Sequence, residues 1–315
     1  MDYLRLAVTD RCNLRCRYCM PAQGIDFVHR EELLSYDELL RLTSIFRDHG
    51  VTKIRITGGE PFVRKDMALL IRELYQQFDQ VHLTTNATRI HDHMELLSHP
   101  HMKGMNISLD SLDKENFSRI TRRDELGQVM HNLLQALELG IPLKLNVVVM
   151  RGMNDEEIPA FLDFGAEHGI PIRFIEAMPF NASDGNKGLF ISYKEILESI
   201  DSARPGFKEV TSARPSAAIH FENSQGQQVD IIPAYSRLQC GTCNRIRLTP
   251  KGKMLTCLYA KTGLDLKERM RNGMASDEEL GKAIQDAILN KKKNGFEEED
   301  ARHESVFQSM TSIGG

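Results

Sequence analysis

The sequence predicts an α/β protein: a partial (βα)6 barrel of the TIM type, followed by a C-terminal α+β domain that covers its open side. Six strand patterns alternate with helix patterns, which is typical of a parallel sheet with helical crossovers. Polar residues collect where these strands end, and in parallel α/β barrels that face carries the active site. After Met178 the alternation stops, so we predict two domains, at residues 1–180 and 181–315.

The elements of the first domain follow in a regular order. An apolar-polar alternation predicts the first strand at 4–9, and a capping box of Ser35 and Glu38 begins the first helix, which ends at Gly50. Further strands are predicted at 53–57, 81–85, 105–110, 143–149 and 172–176, and further helices at about 66–77, 93–98, 127–139 and 158–168. Six units fall short of the eight that close a barrel, so we expect an open one.

The second domain mixes short strands and helices. A hairpin is predicted from strands 218–221 and 229–232, and two further strands at 246–248 and 253–255. Helices are predicted at 193–200, 265–271 and 277–293, the last begun by a capping box of Ser276 and Glu279. The charge runs at 291–293 and 297–300 are interpreted as a solvated helix end and a loop.

Composition excludes several classes of protein. The chain has 315 residues, 41% of them hydrophobic, which is ordinary for a globular core. Its formal net charge of −4 gives no basic field for nucleic acid. The sequence contains no run of about 18 apolar residues, so no membrane span is predicted, and the N-terminus shows no apolar signal-peptide core. We therefore expect a cytoplasmic protein, whose six cysteines in two triplets bind metal and do not form disulfides.

The first triplet is Cys12, Cys16 and Cys19, at C-x3-C-x2-C spacing on the loop that leaves the first strand. An iron–sulfur cube normally takes four protein ligands, so three thiolates leave one iron open, as in a catalytic metal site. A structural zinc is the alternative, but zinc motifs usually begin with a C-x2-C pair answered by another pair. In the turn Gly58-Gly59-Glu60-Pro61, the glycines let a ligand approach the backbone, and Glu60 could meet an ammonium group.

The second triplet is Cys240, Cys243 and Cys257, at C-x2-C-x13-C spacing. The spacing alone fits either a zinc ribbon, with His220 as a possible fourth ligand, or a second open iron–sulfur cluster. The nearby Arg245-Ile-Arg247 places two guanidinium groups on one face of a strand, where they suit phosphate or a purine edge. The chain lacks G-x4-G-K-[ST], so a triphosphate would need scattered basic residues.

These motifs resemble known families. The C-x3-C-x2-C loop, with Tyr18 before its last cysteine, resembles the signature of radical S-adenosylmethionine (SAM) enzymes. Two three-cysteine groups, the segment Cys243-Asn-Arg-Ile-Arg247 and the Gly314-Gly315 end together resemble the MoaA-type GTP 3′,8-cyclases of molybdenum-cofactor biosynthesis, over essentially the whole chain. The resemblance implies two [4Fe-4S] clusters with three cysteines each, SAM, and formation of (8S)-3′,8-cyclo-7,8-dihydroguanosine 5′-triphosphate. The 5′-deoxyadenosyl radical would remove the ribose C3′ hydrogen of GTP.

The resemblance also implies residue roles. It implies SAM contacts at Tyr18, Gly59, Ser108 and Met178, with Glu60 in the turn that holds the SAM amino group. It implies GTP contacts at Arg5, Arg55, Thr84, Lys144, Arg245 and Arg247, a further basic position at Arg173, and a tail of Gly314 and Gly315 that reaches the active site. The chain departs from the family at Asn86-Ala87, where Asn-Gly is frequent, and in the loops 181–188 and 213–216, which lack aromatic residues.

Partners are implied in the same way. The family passes its product to a MoaC-type pyranopterin synthase, takes electrons from a donor such as flavodoxin, and tends to form homodimers. Two alternative functions stay open from the sequence. One is a radical SAM peptide-modifying maturase, although these usually carry more C-terminal cysteines. The other is a non-catalytic zinc-ribbon protein that binds RNA, which the net charge does not support.

Overall fold

The computed structural model describes residues 1–178, 187–212, 216–236, 240–241, 243–260, 262–300 and 310–314. The strands are β1 (Tyr3–Ala7), β2 (Lys53–Thr57), β3 (Gln80–Thr85), β4 (Met102–Ser108), β5 (Leu143–Val149), β6 (Ile172–Glu176), β7 (Lys208–Val210), β8 (Ile219–Glu222), β9 (Gln228–Ile232), β10 (Arg245–Leu248), β11 (Lys253–Leu255) and β12 (Leu264–Asp265). The helices are α1 (Tyr36–Asp48), α2 (Met67–Gln77), α3 (Met94–Leu97), α4 (Lys114–Thr121), α5 (Leu126–Glu138), α6 (Ile158–His168), α7 (Tyr193–Ala203), α8 (Leu266–Arg271), α9 (Asp277–Leu289), α10 (Gly295–Asp300) and α11 (Met310–Ile313).

The twelve strands of the described residues belong to one sheet, in the order β12-β11-β10-β1-β2-β3-β4-β5-β6-β9-β8-β7. The six strands β1 to β6 are parallel neighbours, as predicted. The sheet is wider than predicted, because two strands from the C-terminal part extend it in parallel: β10 beside β1 and β9 beside β6. The predicted hairpin is confirmed as the antiparallel pair β8 and β9.

The alternation of side chains along the strands separates the core from the interior of the barrel. In β1 the side chains of Leu4 and Leu6 are fully buried among the helices, while Tyr3 and Arg5 face the other side. The C-terminal strands use the same core, since Ile246 of β10 packs within it. Each fully buried leucine or isoleucine contributes about 1.5–3 kcal/mol, so this shared core binds the C-terminal strands firmly to the barrel.

Three helix predictions need correction. Helix α4 was not predicted; Asp113 caps it by accepting a hydrogen bond from the Asn116 N–H. Helix α9 ends at Leu289 and not at residue 293, and Lys291 instead donates from Nζ to the Cys243 carbonyl, 2.8 Å away. The segment Gly295–Asp300 is a helix and not a loop, because Asn294 accepts hydrogen bonds from its first N–H groups. No helix among the described residues is both long and apolar enough to span a bilayer.

Candidate active site

A cavity of about 680 Å³ lies inside the barrel and reaches the carboxyl ends of its strands. One end is formed by the cysteine loop after β1 and by the turn after β2. The other end is basic. The lining of the whole cavity includes Cys12, Cys16, Cys19, Gly58, Gly59, Ser108, Asp110, Met178, Arg5, Lys53, Arg55, Thr84, Arg173, Arg245 and Arg247. The cavity therefore brings the first triplet and most of the predicted basic residues to one site.

Helix α4 holds the cysteine loop in place. The Arg15 N–H donates to the Thr121 carbonyl at 2.9 Å, and the Arg17 N–H to the Ile120 carbonyl at 3.0 Å. Arg122, which ends α4 in the left-handed conformation with φ 57°, donates from Nη1 to the carbonyls of Arg15 (2.6 Å) and Met20 (3.1 Å). The middle of the loop and the residue after its last cysteine are thus tied to the same helix end.

The three thiols of this loop suit a cation. Burial, followed by the Glu60 carboxylate, raises the pKa of Cys12 to about 12. Burial and the neighbouring cysteines also raise the pKa of Cys16 and Cys19, which shows that the thiols lie within electrostatic reach of each other. A coordinating metal deprotonates thiols outright, and it would supply the charge that these buried groups lack. The six cysteines, all within the described residues, form no disulfide.

The donor set of three thiols suits an iron–sulfur cluster. In a cube each thiolate binds a different iron, so three thiols leave one iron open. His220 is not a fourth ligand for the second triplet, because its ring nitrogens contact Asp230 (2.6 Å) and Ser216 (2.8 Å).

The turn after β2 packs directly against the segment before Cys12. The Gly59 N–H donates to the Thr9 carbonyl and the Glu60 N–H to the Arg11 carbonyl, both at 2.8 Å. Glu60 is fully buried, and its carboxylate accepts hydrogen bonds from Phe62 N (3.2 Å), Thr85 Oγ1 (2.8 Å) and Asn86 N (2.7 Å). The Glu60 carboxylate thus braces the turn, while Gly58 and Gly59 line the cavity; a contact between Glu60 and an ammonium group stays a prediction.

The predicted SAM contacts at Tyr18, Ser108 and Met178 all line the cavity. The Tyr18 hydroxyl donates to Asp110 Oδ2 at 2.8 Å, and the Val148 N–H donates to Asp110 Oδ1 at 2.8 Å. Burial raises the pKa of Asp110 to about 6. Tyr18 is thus held against the wall by a carboxylate that follows β4, and its ring stands beside the last cysteine of the loop.

The basic end is built by strand register. Arg5 of β1 is paired with Arg247 of β10 on one side and with Arg55 of β2 on the other, so three arginines stand side by side on the inner face. Burial and the charges of Arg55, Arg245 and Arg173 together lower the pKa of Arg5 to about 10, although Tyr3 opposes this shift. Burial and neighbouring arginines lower the pKa of Arg247 as well. Such crowded like charges favour a polyanionic ligand.

The neighbouring positions in the register form a second row, with Tyr3 between Arg245 and Lys53. Sequence reasoning missed Tyr3 and Lys53, although the period of two along each strand places them on the same face as Arg5 and Arg55. Thr84 also lies at this end, with its Oγ1 3.5 Å from Arg55 Nη1.

Lys144 and Arg173 share one counter-ion. Asp230 Oδ2 lies 3.1 Å from Lys144 Nζ and 2.9 Å from Arg173 Nη2, and the carboxylate is almost fully buried. Burial raises the pKa of Asp230, but the hydrogen bond with His220 and the charges of Arg173 and Lys144 outweigh it and lower the pKa. Arg173 lines the cavity, whereas Lys144 points to its partner just outside the lining.

The second triplet lies on the other side of the basic residues. Cys240, Cys243 and Cys257 line a smaller cavity of about 100 Å³, which shares Arg245 and Arg247 with the larger one. Arg245 Nε donates to Cys243 Sγ at 3.4 Å. Burial raises the pKa of Cys243, but Arg245 and Lys291 lower it to about 7. Cys243 thus lies beside two cations, whereas burial raises the pKa of Cys257.

The C-terminal tail contacts the basic end of the cavity. Arg247 Nη1 donates to the carbonyl of Gly314 and lies 3.4 Å from that of Ile313. A Cβ atom at Gly314 would come within 2.8 Å of Ala7 Cβ and 3.0 Å of Thr57 Cγ2, so the tail sits closely on the ends of β1 and β2. Gly315 lies outside the described residues, as do most of 181–188 and residues 213–215.

Comparisons with known proteins agree with this geometry. Residues 6–165 match the family model of the radical SAM superfamily, and residues 170–297 match that of Molybdenum Cofactor Synthesis C. The chain is 39% identical to a GTP 3′,8-cyclase of Hydrogenovibrio crunogenus, which covers 100% of this chain and 97% of the relative, and 37% identical to one of Clostridium perfringens, with 100% and 98% covered. It is 39% identical to mouse molybdenum cofactor biosynthesis protein 1, over 93% of this chain and 46% of that protein.

Solved structures show the same fold. The structure is similar to that of Streptococcus suis SuiB, with a TM-score of 0.61, 16% identity, and 93% of this chain and 70% of that chain covered. A structure of SuiB bound to S-adenosylmethionine gives a TM-score of 0.59 at 16% identity, covering 90% of this chain and 67% of that chain. At this identity the similarity concerns the architecture alone, and it confirms the predicted barrel class.

Proposed function

The chain belongs to the GTP 3′,8-cyclase family of radical SAM enzymes, and on this premise we propose that it converts GTP into (8S)-3′,8-cyclo-7,8-dihydroguanosine 5′-triphosphate for molybdenum-cofactor biosynthesis. One observation carries the proposal: a single cavity has three cysteines at one end and a register row of three arginines at the other. The first end suits a cluster that binds SAM and the second suits a nucleoside triphosphate. Family membership favours this function over a maturase or a zinc-ribbon protein.

Cys12, Cys16 and Cys19 would hold the [4Fe-4S] cluster, which when bound supplies the electron that cleaves SAM and so yields the radical for the ribose C3′ hydrogen. The other steps depend on this chain's side chains. Gly58 and Gly59 allow the turn to pack directly against residues 9–11, because any side chain there would collide with that backbone. Both glycines line the cavity beside the cysteine loop, where SAM would bind. Tyr18, Ser108 and Met178 line the wall between the SAM end and the basic end.

The basic side chains would orient GTP. Arg5, Arg55 and Arg247 form a fixed row, and Arg guanidinium groups bind phosphate oxygens with two parallel hydrogen bonds. Arg245, Lys53, Thr84 and Arg173 surround the row, and Lys144 would reach the triphosphate by leaving Asp230. Because the row is preformed, the ligand does not have to order it, and its position would place the ribose between the two ends.

Cys240, Cys243 and Cys257 would hold a second [4Fe-4S] cluster with one open iron for the guanine. The support is the donor set of three thiols beside Arg245 and the position of this triplet next to the basic end of the cavity. We also propose that residues 1–180 provide the SAM half and residues 181–315 the second triplet and the tail. Thr311 and Met310 line the cavity, which supports a role of the tail at the site.

The remaining partners are proposals from the family. The product requires a MoaC-type pyranopterin synthase, and the first cluster requires a low-potential donor such as flavodoxin. A homodimer remains a prediction. We place the protein in the cytoplasm, since six cysteines without disulfides suit a reducing compartment.

An anaerobic turnover assay tests the function. The protein is reconstituted with iron and sulfide, and SAM and dithionite are added with GTP, with ATP or without nucleotide. We expect 5′-deoxyadenosine and a cyclised product with GTP alone, and neither from Cys16→Ser. SAM cleavage that does not depend on the nucleotide would contradict the GTP assignment. No cleavage, together with bound zinc in place of iron, would contradict the radical SAM activity as well.

A further inference from the structure

Tyr3 stands at the centre of the positive charge in the cavity. Its hydroxyl accepts a hydrogen bond of 2.6 Å from Arg55 Nε, and Lys53 Nζ lies 4.7 Å from the centroid of its ring. Arg245 is its register neighbour on β10, and Arg5 follows two positions along β1 on the same face. Tyr3 thus places an acidic proton among four basic side chains that line the cavity.

The contact with Tyr3 fixes Arg55 from one side. From the other side, Arg55 Nη1 donates to the Leu83 carbonyl at 2.7 Å. These two acceptors hold the plane of the guanidinium group of a side chain that is 7% exposed. Without the hydroxyl, Nε would lose its acceptor in a buried place, and the group could rotate toward other partners.

The charges around Tyr3 affect its protonation. Burial raises the pKa of the phenol, but the charges of Arg55, Arg5 and Lys53, with the hydrogen bond from Arg55, outweigh burial and lower it to about 7. The hydroxyl is therefore partly ionised near neutral pH while the cavity holds no anion. A triphosphate would neutralise the same cations, remove the reason for the low pKa and so favour the protonated phenol.

We propose that Tyr3 is a positioning residue of the nucleotide site, which orients Arg55 toward the triphosphate and takes up a proton when the nucleotide binds. The inference rests on the proposed function, because it requires a polyphosphate among these cations. Proton uptake links affinity to pH: the dissociation constant rises with pH above about 7, at most about tenfold per pH unit. The charged groups that surround the hydroxyl are Arg5, Lys53, Arg55 and Arg245.

The test compares three forms of the reconstituted protein: wild type, Tyr3→Phe and Tyr75→Phe. Tyr3→Phe removes the hydroxyl and keeps the ring beside Lys53. Tyr75→Phe is the matched control, since its hydroxyl bonds to the Leu96 carbonyl among the outer helices, away from the cavity. GTP binding is measured by calorimetry between pH 6.5 and 8.5, in pairs of buffers with different ionisation enthalpies, which gives the number of protons taken up.

We expect the wild type and Tyr75→Phe to take up a fraction of a proton near pH 7.5 that Tyr3→Phe does not take up. At pH 6.5, Tyr3→Phe should bind GTP about three- to tenfold more weakly, because Arg55 is no longer oriented. The dissociation constant of Tyr3→Phe divided by that of the wild type should fall as pH rises. Above about pH 7 only the wild type must protonate a phenolate in order to bind GTP. In turnover, KM should follow the dissociation constant, with a smaller change in kcat.

Equal proton uptake and equal pH dependence in all three forms would overturn the inference, while GTP binding itself would leave the proposed function standing. Failure of the wild type to bind GTP would overturn both. If Tyr3→Phe does not fold, fluorotyrosine introduced at position 3 keeps the hydroxyl and reports its ionisation by fluorine NMR. Its titration midpoint should move to higher pH when GTP is added, and an unchanged midpoint would refute the proton uptake.

Discussion

Gly59 should be the least replaceable residue of the turn beneath the SAM end. A Cβ atom at Gly59 would come 2.6 Å from the carbonyl carbon of Arg11 and 2.8 Å from the carbonyl oxygen of Asp10. These are backbone atoms, which cannot swing away as the end of a side chain can. Since carbon atoms pack at about 3.5–4.0 Å, the two segments would have to separate by about 0.9 Å.

This separation would break the hydrogen bonds that join the turn to the cysteine loop. The bonds Gly59 N to Thr9 O and Glu60 N to Arg11 O are 2.8 Å long, and an extra 0.9 Å or so would stretch them beyond the useful range of about 3.2 Å. Two lost backbone hydrogen bonds cost about 2 kcal/mol, which agrees with the ~1–3 kcal/mol usual for overpacking. Gly59→Ala should therefore lower the free energy of unfolding by about 2–3 kcal/mol.

Gly127→Ala is the matched control. Gly127 is an exposed residue of α5, a Cβ atom there would have nothing within 4 Å, and alanine favours a helix by about 0.5–1 kcal/mol. Urea unfolding under anaerobic conditions should show opposite shifts for the two variants. Gly59→Ala should also bind less iron per chain in the first cluster and bind SAM more weakly, because Cys12 follows the displaced segment. Wild-type stability and SAM affinity in Gly59→Ala would refute the close packing of the turn against the cysteine loop.

Three further perturbations test other parts of the site. Arg122→Met should reduce the iron bound by the cysteine loop, because it removes the hydrogen bonds to the Arg15 and Met20 carbonyls. The control is Arg123→Met, at an exposed position. Equal iron content of the two variants in a chelator assay would contradict this role of Arg122. Asp230→Asn should destabilise the fold by about 3 kcal/mol, because it removes the buried charge that pairs with the partly buried Lys144 and Arg173; urea midpoints measure the loss. The pKa of Asp230 is lowered in the folded protein, so its contribution to stability is present above about pH 4 and is lost on acidification. Asp230→Asn should therefore lose less stability than wild type below pH 4. Parallel stability profiles of the two proteins in acid would count against this role of Asp230. Gly314→Val should lower GTP turnover about tenfold without loss of iron, because the new side chain would collide with Ala7 and the φ of +75° disfavours valine. Gly188→Ala, at a glycine in open space, should not lower turnover. Unchanged turnover in Gly314→Val would show that the tail is dispensable.

Local patterns predicted the elements well, because their causes are local. The capping boxes at Ser35 and at Ser276 are present as predicted, and each accepts the N–H of the glutamate three residues on. The departure at Ala87 also has a local meaning: its φ of 60° lies in the left-handed region that favours glycine, the residue frequent there in the family. Helix α4 was missed because it is only eight residues long and mostly polar, with Phe117 and Ile120 as its buried apolar residues.

The basic end could not be predicted from local patterns. Arg5, Arg55 and Arg247 are neighbours only because β10, which follows some 240 residues after β1, pairs with it in parallel. Alternation assigns each arginine to a face of its strand but assigns neither a partner strand nor a register, and a shift of one residue would turn Arg247 toward the helices. The resemblance, and not the local pattern, implied the roles of these arginines. Because it implies roles only for single matching positions, it gave none to Lys53 or Tyr3.

The sheet gives a reason why the C-terminal part belongs to the site. Strands β1 and β6 would be exposed edges of a six-stranded sheet, and each gains a parallel neighbour from beyond residue 181. These neighbours carry Arg245, Arg247 and Asp230, so the contacts that protect the edges also deliver charges to the cavity. Because edge pairing and ligand binding use the same strands, loss of β9 or β10 would open the core and remove the basic end together. The basic end of the cavity therefore forms only when β9 and β10 are paired with the barrel.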